Sequence, residues 1–335
     1  MKKLLLFGAI FVVVGIIICA VALAMDVEFY MEKLDEKTYE IQEDFSKIQT
    51  DTRDTNITFH LSEDGVCRVV CQEKEHETHT VKAENGTLFL RQENNKKWYH
   101  YIGFDFHTSS VDVYLPKAAF EALNMDGSTG DVTVPKELRF TNAVIHASTG
   151  DIDMQAQVEK DLTVAVNTGR VLVSGIRCGN MDLKASTGDV RILDVNCKNL
   201  SATSDTGDKM LENVQVEETI QLICTSGDIH FTRGSCKNLI TVSDTGRQTM
   251  EYVVASGDVR MASDTGDIRL GFFDGATISI TTDTGDVTGT ILSDKIFLVQ
   301  TDSGRVDVPH STSGGSCEIT TDTGDISIQI LKQEV

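Results

Sequence analysis

Thr282-Asp283-Thr284-Gly285-Asp286-Val287 reads as a tight turn followed by the first residues of a strand, and the chain repeats it. The series begins with Ser128-Thr129-Gly130-Asp131-Val132 and returns at Gly150, Gly169, Gly188, Gly207, Gly227, Gly246, Gly266, Gly285, Gly304 and Gly324. Each of these eleven glycines lies 19 or 20 residues from the next. A fixed period of that size is the signature of a solenoid in which one repeat makes one coil.

The residues between the glycines carry the same message. Two residues after each glycine the position is apolar in nine of eleven coils, the exceptions being Lys209 and Gln248. Seven residues before the next glycine stand Ala143, Leu162, Met181, Leu200, Ile220, Leu239, Val259, Ile278, Phe297 and Cys317, all apolar. Polar residues alternate with both columns, so each coil holds short strands whose inner faces stack on the neighbouring coils. A lone coil buries too little to offset its ordering entropy, and only the stack folds. The expected architecture is all-β, a single-stranded β-helix of about eleven coils, roughly 50 Å long at about 4.8 Å per coil. Strand twist favours a right-handed winding. Lys209, Gln248 and an extra Ala255-Ser256-Gly257-Asp258 predict that residues 207–260 are the least regular part.

The corner motif has a structural and an electrostatic reading. Glycine supplies a positive φ, and Asp, Ser and Thr bond backbone amides that a bend leaves unpaired. After the glycine come Asp131, Asp151, Arg170, Asp189, Asp208, Asp228, Arg247, Asp267, Asp286, Arg305 and Asp325. Stacking turns them into a charge ladder in which each Arg is expected between two aspartates, relieving their repulsion. On that reading Arg170→Asp costs on the order of 1–3 kcal/mol at low salt. Pairs of aspartates in such a ladder offer Ca²⁺ oxygen ligands, although the calcium-binding nonapeptide pattern is absent.

The flanks divide the chain further. Residues 1–25 contain an uncharged apolar run, Leu4 to Met25, behind Lys2 and Lys3. That length spans a hydrocarbon core of about 30 Å, and the lysines place the amino terminus inside and the remainder outside. Ala22-Leu23-Ala24 offers the alternative of a cleaved signal peptide and a secreted product. Residues 26–46 read as an acidic stalk, 47–125 as an irregular β cap over the first coil, and 126–335 as the solenoid. Within the cap lies Trp98-Tyr99-His100-Tyr101-Ile102-Gly103-Phe104-Asp105-Phe106, which holds the only tryptophan. Trp98, Tyr99, Tyr101, Phe104 and Phe106 either pack the cap onto the coils or stack on a partner.

A net charge of -21 argues against nucleic acid. The chain has no nucleophile motif, phosphate loop or zinc spacing, and His76-Glu77-Thr78-His79 reads as a polar strand edge. No catalytic carboxylate pair stands out from so regular a ladder, so no enzyme, catalytic residue or required cofactor is expected. Of the eight cysteines, Cys178 and Cys197 fall in one slot of successive coils, at a spacing that permits a disulfide and equally suits buried free thiols.

The apolar leader, Tyr114-Leu115-Pro116 before the repeats, the Ser-Thr-Gly-Asp and Thr-Asp-Thr-Gly-Asp coils and the ending Cys317 to Ile326 together resemble a bacterial family of β-strand-repeat proteins regarded as candidate adhesins. The resemblance runs from about Lys47 onward. It implies a solenoid at the cell surface with a protein or glycan partner, and it carries over no catalytic or binding residues. A membrane-anchored envelope accessory or stress-signalling component is the alternative from another class.

Overall fold

The structure, a computed structural model, describes residues 11–17, 34–74, 76–95 and 108–331. Residues 11–17 are helical, and among the described residues no helix is long and apolar enough to cross a membrane. Most of the run Leu4 to Met25 lies outside them, as does the segment containing Trp98, Tyr99, Tyr101, Phe104 and Phe106.

Among the described residues from Lys47 onward the chain winds into an all-β solenoid with a cap at its amino-terminal end. Leu162 lies beside Met181, Met181 beside Leu200, Leu200 beside Ile220, and the column continues in parallel register through Leu239, Val259 and Ile278. All seven are at most 2% exposed. The second inward column, Ile152, Val171, Val190, Lys209, Ile229, Gln248, Ile268 and Val287, is equally in register. The core is therefore a continuous rod of stacked side chains, each coil completing the burial of the one before it.

The order of coils departs from sequence order at both ends. Ile278 pairs with Cys317, and Cys317 in turn with Phe297, so the last coil of the chain is inserted between the Gly285 and Gly304 coils. The Gly304 coil is left at the edge, with Ile296, Leu298 and Val306 exposed. Its second strand is only Val306–Asp307, followed by Pro309, which has no N–H to offer a ladder. Ile326–Ile330 is longer and supplies the fuller stacking surface to Val287–Ile291. A short, interrupted strand at an edge also discourages sheet-to-sheet pairing.

At the other end Lys47–Leu61 forms a complete coil in register with Ala119–Thr129 and Val132–Val134. Thr55 takes the place of the glycine and Asn56 that of the aspartate, which is why the glycine period does not reveal it. On its outer side lie Thr87–Asn94 and Ser109–Leu115. Two strands, Cys67–Glu73 and Glu77–Glu84, run the other way, and Asp35–Ile41 adds a last strand that returns to the coil direction. Cys67–Glu73 lies antiparallel on Ser109–Leu115, Asp35–Ile41 on Cys67–Glu73, and Glu77–Glu84 on Thr87–Asn94. Reversed strands close the stack because an antiparallel partner does not present the surface a further coil needs.

Residues 207–260 stay in the parallel stack, with one register shift between Val216 and Thr219. Apart from that shift Lys209–Ser226 pairs with both neighbours, and Lys209 and Gln248 are fully buried. Gln248 accepts a hydrogen bond from Thr241 Oγ1 and donates to Ser243 Oγ at 2.8 Å and the Ala262 carbonyl at 2.6 Å. Small hydroxyl residues on the neighbouring inner positions satisfy these polar intruders. The extra Gly257 sits at another corner, where its N–H reaches the Lys237 carbonyl at 2.8 Å.

Candidate functional site

At each glycine corner the coil turns, and the next residue bonds along the stack. Asp131 Oδ1 accepts the N–H of Asp151 at 2.8 Å, and Asp151 Oδ1 that of Arg170 at 2.8 Å. The same bond links Asp189 to Asp208, Asp208 to Asp228, Asp228 to Arg247, and Asp267 to Asp286. The carboxylates thus serve as repeated side-chain caps for outward-facing amides, the Asx chemistry of turns extended over many coils.

The predicted ladder is assembled, with two corrections. Asp286 is followed by Asp325 and then Arg305, so Arg305 ends the ladder and touches one aspartate instead of two. Its guanidinium lies 2.6 Å from Asp325 and holds that carboxyl below the usual range, chiefly by hydrogen bonding. Arg170 forms its ion pair with Asp151, at 2.9 Å. Secondly, runs of three aspartates already exist, as in Asp189, Asp208 and Asp228, because each acid finds an amide. Arg170→Asp would add a further acceptor for the N–H of Asp189. The expected cost therefore falls below about 1 kcal/mol, the worth of an exposed ion pair. It should disappear in about 1 M NaCl, where the Debye length is about 3 Å. Urea unfolding at low and high salt checks this, and a larger, salt-insensitive loss would contradict it.

A second column escaped the sequence reading. Six residues after the corner glycine, Gly175, Asp194, Asn213, Arg233, Tyr252 and Phe272 all have φ between 52° and 69°. Each bends its coil between two short inward-facing segments, leaving a left-handed residue on an outer ridge. Gly, Asp and Asn suit that conformation, and their recurrence was the available signal. Arg, Tyr and Phe do not suit it. Along the ridge Asn213 Nδ2 donates to Asp194 Oδ1 at 2.6 Å, and Arg233 pairs with Glu212. Tyr252 and Phe272 stack with centroids 4.7 Å apart and planes 5° from parallel, while 55% and 38% exposed. Val254 adds a further exposed apolar residue nearby.

Toward the amino-terminal side the same ridge borders an open groove of about 1050 Å³, lined by Lys136, Arg139, Gln157, Gly175, Arg177 and Asp194 among others. Its three exposed cations stand beside two exposed carboxylates, Glu159 and Asp194. The ridge thus joins a hollow of mixed charge to an aromatic step.

The seven described cysteines are unpaired, and Cys178 and Cys197 adjoin each other as thiols. His79, expected at a polar strand edge, is instead 3% exposed on the inner face of Glu77–Glu84.

The sequence profile of one family, Toastrack DUF4097, matches residues 45–245. Among solved structures, a candidate adhesin from Parabacteroides merdae ATCC 43184 is 16% identical with a TM-score of 0.46, the alignment covering 78% of this chain and 97% of that one. A candidate adhesin from Bacteroides fragilis NCTC 9343 is 14% identical with a TM-score of 0.37 over 90% and 98%. A candidate lipid-binding protein from Parabacteroides distasonis ATCC 8503 is 13% identical with a TM-score of 0.43 over 89% and 97%. No curated protein matches the chain.

Proposed function

The chain belongs to the Toastrack DUF4097 family, and from that premise we propose that it is a non-enzymatic solenoid displayed at the cell surface, binding a protein or glycan partner along its left-handed ridge. The apolar segment Leu4 to Met25 anchors it as a single span, and the solenoid, wound right-handed, stands outside. The observation that carries this reading is the Tyr252–Phe272 stack. Two bulky residues hold a left-handed backbone, at a cost of roughly 1–2 kcal/mol each, without entering the core. Backbone strain combined with exposed, ordered aromatic surface is characteristic of contact sites. The groove extends the face with charged groups of both signs for polar contacts to the partner.

The test places a photo-cross-linking residue at Tyr252, at Arg177 and, as control, at Asp131 of the full chain on intact cells. The ridge positions should capture a shared protein or glycan conjugate that Asp131 does not. Tyr252→Ala with Phe272→Ala should weaken capture from Arg177 by about tenfold or more, equivalent to about 1.4 kcal/mol. Equal capture from all three positions, or none from either ridge position, would reject the ridge as the contact face.

A further inference from the structure

The amino-terminal cap encloses three side chains that neither the ladder nor the ridge uses. Cys71 and Glu73 occupy alternate inner positions of Cys67–Glu73, and a tight reversal at Lys74 and Glu77 brings His79 of the next strand back toward them. Their exposures are 0%, 1% and 3%. One donor atom from each, a thiol sulfur, a carboxylate oxygen and an imidazole nitrogen, lies within 4.8 Å of the other two.

Their hydrogen bonding is one-sided. His79 Nε2 lies 3.2 Å from Thr55 Oγ1, whereas buried Nδ1 has no hydrogen-bond partner and faces Glu73 Oε1 at 3.3 Å. In the tautomer with its proton on Nε2, the Nδ1 lone pair is directed at the carboxylate, where a cation between them would be shared by both. Glu73 Oε1 also accepts the His79 backbone N–H at 2.5 Å, and Oε2 pairs with Lys37 Nζ at 2.5 Å. Burial pushes the Cys71 thiol up to about 12, helped by the Glu73 charge, and lowers His79.

We propose that Cys71, Glu73 and His79 form a structural binding site for a divalent transition metal of the zinc class. Sulfur and imidazole donors select such an ion over Ca²⁺ or Mg²⁺. Tetrahedral bonds of about 2.0–2.1 Å to nitrogen and oxygen set those ligand atoms about 3.3–3.5 Å apart, which the Glu73–His79 separation already matches. Binding displaces the Cys71 proton to solvent, and a water molecule completes four-coordination. Thr55 fixes the imidazole from behind, the usual part of an outer partner to a ligating histidine. Because Thr55 belongs to the first complete coil, the ion would tie the reversed cap strands to the solenoid.

The experiment uses the full chain, stripped with a chelator and titrated with Co²⁺ and then Zn²⁺. About one equivalent of Co²⁺ should produce a thiolate-to-metal charge-transfer band, and Zn²⁺ should abolish it and raise the thermal midpoint. Cys71→Ser should lose the band and the thermal shift, Cys236→Ser should keep both, and Thr55→Val should weaken affinity roughly 10–100-fold. If Cys71→Ser fails to fold, X-ray absorption of the zinc-loaded wild type decides, with one sulfur and otherwise nitrogen or oxygen neighbours expected. No band from the wild type, a band that survives Cys71→Ser, or more than one sulfur neighbour would overturn the site.

Discussion

Gly188→Ala should lower the unfolding free energy by about 3–5 kcal/mol, among the larger losses open to a single methyl group. A Cβ at Gly188 would lie 2.0 Å from the carbonyl oxygen of Gly169 and 2.6 Å from its carbonyl carbon. Both obstacles are backbone, held by the N–H of Gly169 bonding to Thr187 and that of Gly188 to Thr206. A φ of 138° adds conformational strain. Relief requires two coils to part, and in a solenoid the loss of one interface uncouples the segments on either side. Two controls separate the causes. Gly86 has φ of 74° with nothing near its would-be Cβ, so Gly86→Ala isolates the backbone cost of roughly 1–2 kcal/mol. Gly127→Ala meets only ordinary contacts, the nearest at 3.6 Å, and should change little. Urea unfolding of the three variants checks the order. A Gly188→Ala loss no greater than that of Gly86→Ala would show that close packing of coils does not constrain the corner.

Lys209→Met should act in the opposite direction, stabilising the protein by about 1–4 kcal/mol at pH 7, the range for replacing buried charge by apolar volume. Lys209 stands between the apolar Val190 and Ile229 in its inward column, with its Nζ on Ser204 Oγ. Burial lowers its pKa, opposed by Cys224, Asp208 and Asp205. The unfolded lysine, titrating near 10.5, therefore holds its proton to higher pH than the folded one. Between the lowered folded value and 10.5 the unfolded chain binds more protons, so this group's contribution to stability rises with pH across that window. Below the window the penalty is complete. The advantage of Met should consequently be greatest at neutral pH and shrink toward pH 10.5. In the variant Ser204 keeps the Gly207 carbonyl at 3.4 Å, so no buried hydroxyl is orphaned. Paired melts of wild type and variant from neutral to alkaline pH measure the difference. A variant less stable at neutral pH, or a difference that does not change with pH, would be inconsistent with a costly buried ammonium.

The period of the glycines determined the coil, its inward columns and the corner on which the aspartates lie, because a coil's length and alternation are local properties repeated along the chain. Leu162, Met181 and Leu200 are neighbours for that reason. The same repetition concealed which coil follows which. Every interior coil presents much the same apolar edge, so nothing in the spacing of Gly285, Gly304 and Gly324 tells the last coil to enter between the other two. That order follows from the surface available on Val306–Asp307 compared with Ile326–Ile330, and Arg305 moves to the end of the ladder with it. Likewise Lys47–Leu61 becomes an inner coil only because Thr55 and Asn56 can fill a corner that elsewhere contains glycine and aspartate. Tyr252 and Phe272 sit 20 residues apart in sequence as ordinary strand residues. Tertiary stacking alone holds both in the left-handed conformation that sets one ring on the other. Cys71, Glu73 and His79 meet inside the cap because the chain reverses there, and a reversal has no period to read.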